Sequence, residues 1–177
     1  MRSDPGSRPA LLTKAGAGPS SGLVTPPAAG KSVVICIGNR YLGDDGIGLR
    51  VAEALDGAFG GEVLVEASQA MDLPLLSRYE GASRVVVVDA LRSGARPGEV
   101  SRYALVPNGT PLEALKGQHS LELHDFFDVA WQTGLLKCPV TVIGVEPKDC
   151  GIGEGLSDEL VRAIPKVVTE VKAALAR

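Results

Sequence analysis

Four consecutive valines, Val85 to Val88, stand between Arg84 and Asp89. A β-branched run without polar alternation reads as a strand covered on both faces, the mark of a buried parallel sheet. Ser32 to Ile37 (S-V-V-I-C-I) and Pro139 to Val145 read the same way. Val63 to Val65 is a shorter strand, and Val100 to Val106 alternates like a more exposed one. Between these runs the apolar spacing becomes helical. Ile47, Leu49, Val51, Ala52 and Leu55 mark one face of a first helix. A second is expected over Met71 to Tyr79, with Asp72 near its start and Pro74 tolerated in its first turn. A third covers Leu121 to Trp131, and a closing helix runs from Ser157 to Leu175 with an interruption near Pro165. Strands alternating with helices predict an α/β sandwich with a mostly parallel sheet.

The length of 177 residues suits one domain. Its first part reads differently from the rest. Residues 1–31 hold five prolines and five glycines, with no apolar period of 2 or 3.6. They are expected to form a disordered tail, and residues 32–177 the folded domain. Leu11–Leu12 is too short for the apolar stretch of a secretory signal. Basic residues, serines and a single acid, Asp4, leave a transit peptide open, although the prolines oppose the amphipathic helix such a peptide forms. No apolar run reaches the roughly 18 residues of a membrane span. Eighteen basic against 21 acidic residues argue against a nucleic-acid partner, which usually demands a basic surplus. Three widely spaced cysteines, Cys36, Cys138 and Cys150, fit reduced thiols in a cytoplasmic protein.

Open α/β sheets bind ligands just outside the carboxyl ends of their strands. Gly38, Asn39, Asp44 and Asp45 follow the first strand, Asp89 ends the third, and His119 stands just before the Leu121 helix. Each has an ordinary alternative. Asp44 and Asp45 serve equally well as a helix N-cap and a first-turn acid. Asp89 fits a turn, and His119 fits a loop without a role. His124 is expected on the exposed side of the helix. The G-I-G-N-R-Y-L-G-D-D-G-I-G segment lacks both the G-x-G-x-x-G spacing and the G-K-S/T ending of a phosphate loop. There is no G-x-S-x-G elbow for a serine triad and no cysteine spacing for zinc. Convergence is the argument: acids and an imidazole from separate segments at one sheet edge form a hard donor set suited to a divalent metal.

The run from Gly38 to Leu55 (G-N-R-Y-L-G-D-D-G-I-G-L-R-V-A-E-A-L) resembles the opening signature of the hydrogenase maturation endopeptidases. The likeness continues through V-V-V-V-D-A at Val85 to Ala90 and the G-x-x-P-G turn at Gly94 to Gly98. It resumes at Q-H-S-L-E-L-H-D-F-F, at V-I-G-V-E-P, and at G-L-S-D-E-L through the Ile164–Pro165 pair. It covers essentially residues 32–177.

This resemblance implies a three-layer sandwich, a twisted mostly parallel sheet with helices on both faces. It implies an endopeptidase that removes the C-terminal extension of a nickel–iron hydrogenase large-subunit precursor. Nickel, carried by that substrate, would meet Asp45, Asp89 and His119, and Gly38 and Asn39 would shape the floor of the cleft. Relatives often have glutamate where Asp45 stands, and threonine or serine where Gln118 stands. The motif match leaves Asp44 to cap its own helix. No separate nucleophile or general base is identified. The precursor is the expected partner, and the protein is expected to be a cytoplasmic monomer away from nucleic acid and membranes. The alternatives are a non-catalytic metal- or protein-binding assembly factor on the same scaffold, or a small-molecule hydrolase or nucleotide binder using the G-I-G-N loop.

Overall fold

In the computed structural model the described residues are 30–107 and 118–176, without the side chains of residues 118–122 and 124. The expected tail lies outside them except for Gly30 and Lys31. Those two are tied to the domain: Gly30 N–H donates to the Gly81 carbonyl at 3.0 Å, and Ser83 N–H to the Lys31 carbonyl at 2.9 Å.

The β-branched runs form the strands they predict. β1 (Ser32–Ile37), β2 (Val63–Ser68), β3 (Arg84–Ala90) and β5 (Val140–Val145) pair in parallel, and β4 (Val100–Leu105) runs antiparallel beside β5. The order is β2-β1-β3-β5-β4. β2 is longer than its apolar core Val63–Val65, because all six of its residues register with β1 from Ser32↔Val63 to Ile37↔Ser68. Backbone pairing carries Glu66 and Ser68, which apolar pattern alone does not mark.

Pleating sends alternate side chains to opposite faces. Val33, Ile35, Val85, Val87, Val140 and Val142 meet Leu75, Leu76, Leu123 and Phe127 on one side. Val34, Cys36, Val86, Val88, Ile143 and Val145 meet Ile47, Val51, Leu160 and Val167 on the other. Helices α2 (Leu73–Ser77) and α3 (Gln118–Gln132) therefore cover one face, and α1 (Ile47–Ala54) and α4 (Asp158–Leu175) cover the other. This is the three-layer α/β sandwich. No helix among the described residues is long and apolar enough to cross a membrane.

Two helices differ from expectation. α2 ends at Ser77, short of Tyr79; it starts as predicted, with the Asp72 carboxylate accepting from Leu75 N–H at 2.7 Å and Pro74 in the first turn. α4 passes Pro165 without interruption. Its buried stripe, Leu160, Ala163, Val167, Val171 and Ala174, lies on the sheet, whereas Pro165 is exposed. The carbonyl that loses its partner is that of Val161, a residue itself exposed at 52%. Packing of the apolar stripe outweighs the missing bond.

The chain leaves β1 through α1 on one face to reach β2, then returns through α2 on the other face to β3 on the far side of β1. The β1–β3 boundary is thus a topological switch point, where a crevice opens at the carboxyl ends of the strands.

Candidate active site at the switch point

Asp45 reaches this crevice from a short 3-10 turn, Gly43–Gly46, that follows β1. Two glycines allow that approach. A Cβ on Gly38 would run into the Asp45 carbonyl, and one on Gly48 into the Ile37 carbonyl, so turn and helix lie directly on the end of β1. Asn39 N–H donates to both the Asp45 carbonyl (3.3 Å) and its Oδ2 (3.1 Å). The Asn39 side chain accepts from Tyr41 N–H at 3.0 Å, closing the turn. The glycine-rich segment thus serves close packing. Gly38 and Asn39, expected on the cleft floor, hold Asp45 from behind and are absent from the lining of the cavity beside it.

That cavity, about 270 Å³, is lined by Asp45, Asp89, Arg92, Gln69 and Cys150 together with apolar neighbours from the strand ends. Asp89 arrives on β3. Burial pushes its carboxyl up to about 7; a 2.8 Å bond from Ala90 N–H to Oδ1 opposes this, and the charge of Asp45 adds to it. Each acid therefore spends one oxygen on a backbone N–H. The other, Oδ1 of Asp45 and Oδ2 of Asp89, has no partner among the described residues.

Asp44 does something else. It is 1% exposed and caps neither its own turn nor α1. Its Oδ2 accepts from Lys148 N–H (2.8 Å), Asp149 N–H (3.0 Å) and the Ser157 hydroxyl (2.9 Å), and its Oδ1 from Ser157 N–H (2.6 Å). Burial alone would push its pKa up, but these donors outweigh it and hold the carboxyl below its usual range. The expected helix cap is instead a clamp on the loop between β5 and α4.

His119 is the second residue of α3, inside the first turn rather than ahead of the helix. Its side chain, like that of His124, lies outside the described residues. Among the described residues no three His, Cys, Asp or Glu side chains gather as a metal site. Two hard carboxylates in one cavity, one of them raised to about 7 by burial and its neighbour's charge, nevertheless fit a divalent cation.

Arg92, Cys150 and Glu146 are not marked by the sequence pattern as site residues. Cys150, set aside with the other cysteines, lines the cavity. Burial raises its pKa, an Arg92 hydrogen bond and charge lower it, and Asp45 and Asp44 raise it again, leaving the thiol protonated. Cys36, by contrast, is pushed up to about 12 by burial alone and is a core residue. Glu146 is buried and accepts from Ser93 N–H and hydroxyl (both 2.7 Å) and Gly94 N–H (3.2 Å). It pins the loop that follows Asp89 and carries Arg92. Glu146 stands directly after the last core strand, within the V-I-G-V-E-P run, and Cys150 in the loop beyond it.

The family model described as hydrogenase maturation protease matches residues 50–174. The chain belongs to the hydrogenase maturation protease family. The hydrogenase 3 maturation protease of Escherichia coli is 34% identical over 70 residues, which is 38% of this chain and 45% of that protein. The chain thus matches less than half the length of that relative. Similar folds are the hydrogenase maturating endopeptidase HybD of E. coli (TM-score 0.67, 24% identity, 82% of this chain and 92% of that one) and a hydrogenase 2 maturation peptidase from a Thaumarchaeota archaeon (TM-score 0.62, 28% identity, 82% and 97%). The nickel–iron hydrogenase maturation protease HybD of Thermococcus kodakarensis is a third (TM-score 0.60, 25% identity, 81% and 99%).

Proposed function

We propose that this protein is an endopeptidase that removes the C-terminal extension of a nickel–iron hydrogenase large-subunit precursor. In this reading Asp45, Asp89 and His119 meet nickel carried by the substrate. The observation that carries it is the shared cavity of Asp45 and Asp89, brought from separate strand ends to the switch point, each with one carboxylate oxygen left over.

A bound divalent cation supplies Lewis acidity, polarising a carbonyl or lowering the pKa of a water. The chain supplies position and proton handling. Asn39 N–H fixes Oδ2 of Asp45, and Ala90 N–H fixes Oδ1 of Asp89. Asp45 and Asp89 would hold such a cation through their remaining oxygens, and the Asp89 carboxyl, raised to about 7, would give up its proton on binding it. The buried or half-buried thiols fit a reducing cytoplasmic setting, and the reading takes the protein as a monomer that engages the precursor directly.

The test is cleavage of a nickel-loaded precursor, read by mass spectrometry. Asp89→Asn and His119→Ala should each abolish trimming with folding intact by circular dichroism. Asp45→Ser should also abolish it, while Asp45→Glu keeps part of the activity because charge and reach survive. Trimming at the normal rate by Asp89→Asn or His119→Ala overturns the ligand assignment. A wild-type chain that binds the precursor without cutting it favours the non-catalytic assembly factor.

A further inference from the structure

Among the residues lining the acid cavity, Arg92 is the one cation. It is exposed, and no carboxylate among the described residues lies within ion-pairing distance of it. Its guanidinium interacts with the neutral Cys150 thiol, a weak acceptor that occupies a small part of five donors. The backbone beneath it is held: Ser93 and Gly94, the next two residues, donate to the buried carboxylate of Glu146. A planar fork on an anchored loop, beside the acids and open to solvent, finds among the described residues no carboxylate, the partner that such a fork matches best.

We propose that Arg92 is a specificity-determining residue that takes an acidic side chain of the substrate peptide close to the scissile bond. The proposal rests on the endopeptidase reading and names what that site selects. The charge of Asp45 in the cavity repels an acidic peptide, so a cation at the rim decides which segment settles across it. An arginine with no carboxylate partner among the described residues keeps its donors for the substrate.

The test uses the full-length chain and two fluorescent peptides spanning the cleavage position of the precursor. One keeps its acidic residues, and the other carries the corresponding amides. Fluorescence anisotropy should show wild type holding the acidic peptide about tenfold or more tighter than the amide peptide, the usual worth of a charge-assisted pair. Arg92→Gln should lose that preference and leave amide-peptide binding unchanged, and Arg92→Lys should keep part of it. On intact precursor Arg92→Gln should raise KM and spare kcat. Equal binding of the two peptides by wild type, binding of neither, or an equal loss on both in Arg92→Gln overturns the proposal. A wild type that prefers the acidic peptide yet cuts neither peptide nor precursor leaves the Arg92 assignment standing and removes the endopeptidase reading instead.

Discussion

The carboxylate of Asp44 accepts from both the backbone N–H and the hydroxyl of Ser157, at 2.6 and 2.9 Å, across 113 positions of sequence. Ser157 is the N-cap of α4 and makes no side-chain cap bond of its own. The acid after β1 thus secures the start of the last helix. Replacing Asp44 by serine therefore does not preserve a cap, as its position before a helix suggested; it strands the N–H groups of Lys148, Asp149 and Ser157.

Asp44→Ser should lower stability by about 3 kcal/mol, the scale for removing a buried carboxylate from several donors. Urea unfolding reads this as a lower midpoint with an unchanged slope. A loss under ~0.5 kcal/mol, the range of ordinary surface substitutions, would contradict the clamp. The pH sign follows from the lowered carboxyl. Its stabilisation is present above the unfolded value of about 4 and is lost as pH falls toward the folded one. The mutant should therefore lie closest to wild type in acid.

Asp89 behaves in the opposite sense. Its carboxyl is raised to about 7, so its contribution is complete below about 4 and is lost as pH climbs through 7. Metal-free wild type should lose on the order of 2–4 kcal/mol through this group between pH 4 and 8. Asp89→Asn, which cannot ionise, should remove that slope and melt higher than wild type at pH 8. Parallel melting curves of the two proteins across this range would refute the assignment.

Gly38→Ala and Gly48→Ala should each cost about 2 kcal/mol or more, because the new Cβ meets backbone that cannot move alone: the Asp45 carbonyl in one case and the Ile37 carbonyl in the other. Gly38→Ala should also reduce precursor trimming by displacing Asp45. Gly57→Ala meets nothing within 4 Å and should leave trimming unchanged; its left-handed φ of 68° confines its cost to backbone strain.

Pro165→Ala should stabilise the protein by about 1 kcal/mol, since it restores a donor to the helix and costs nothing in the core. Thermal melting measures it. A lower Tm would mean that the proline's restriction of the unfolded chain outweighs the bond it removes.

The buried strands were legible from residue type alone, because β-branched runs such as Val85 to Val88 have few other places to go than a sheet covered on both faces; the second half of β2 was not. Chain order and apolar period carried the layers as well, including Pro74 in the first turn of α2. Asp45 and Asp89 were legible as candidates, since the carboxyl ends of parallel strands are where such sheets bind. The role of Asp44 was not: the motif match set Asp45 apart as ligand but left Asp44 as a helix cap. Two adjacent aspartates have the same local pattern, and only the loop from Lys148 to Ser157, folded back over the turn, separates the clamp from the open acid. Arg92, Glu146 and Cys150 belong to the same class. Their chemistry depends on partners from other segments, and spacing along a chain holds no information about a contact that forms only when β3 and β5 lie side by side. Secondary structure is decided within a few residues by sterics and period, whereas a side chain's charge state and partner are decided by whatever the fold places against it.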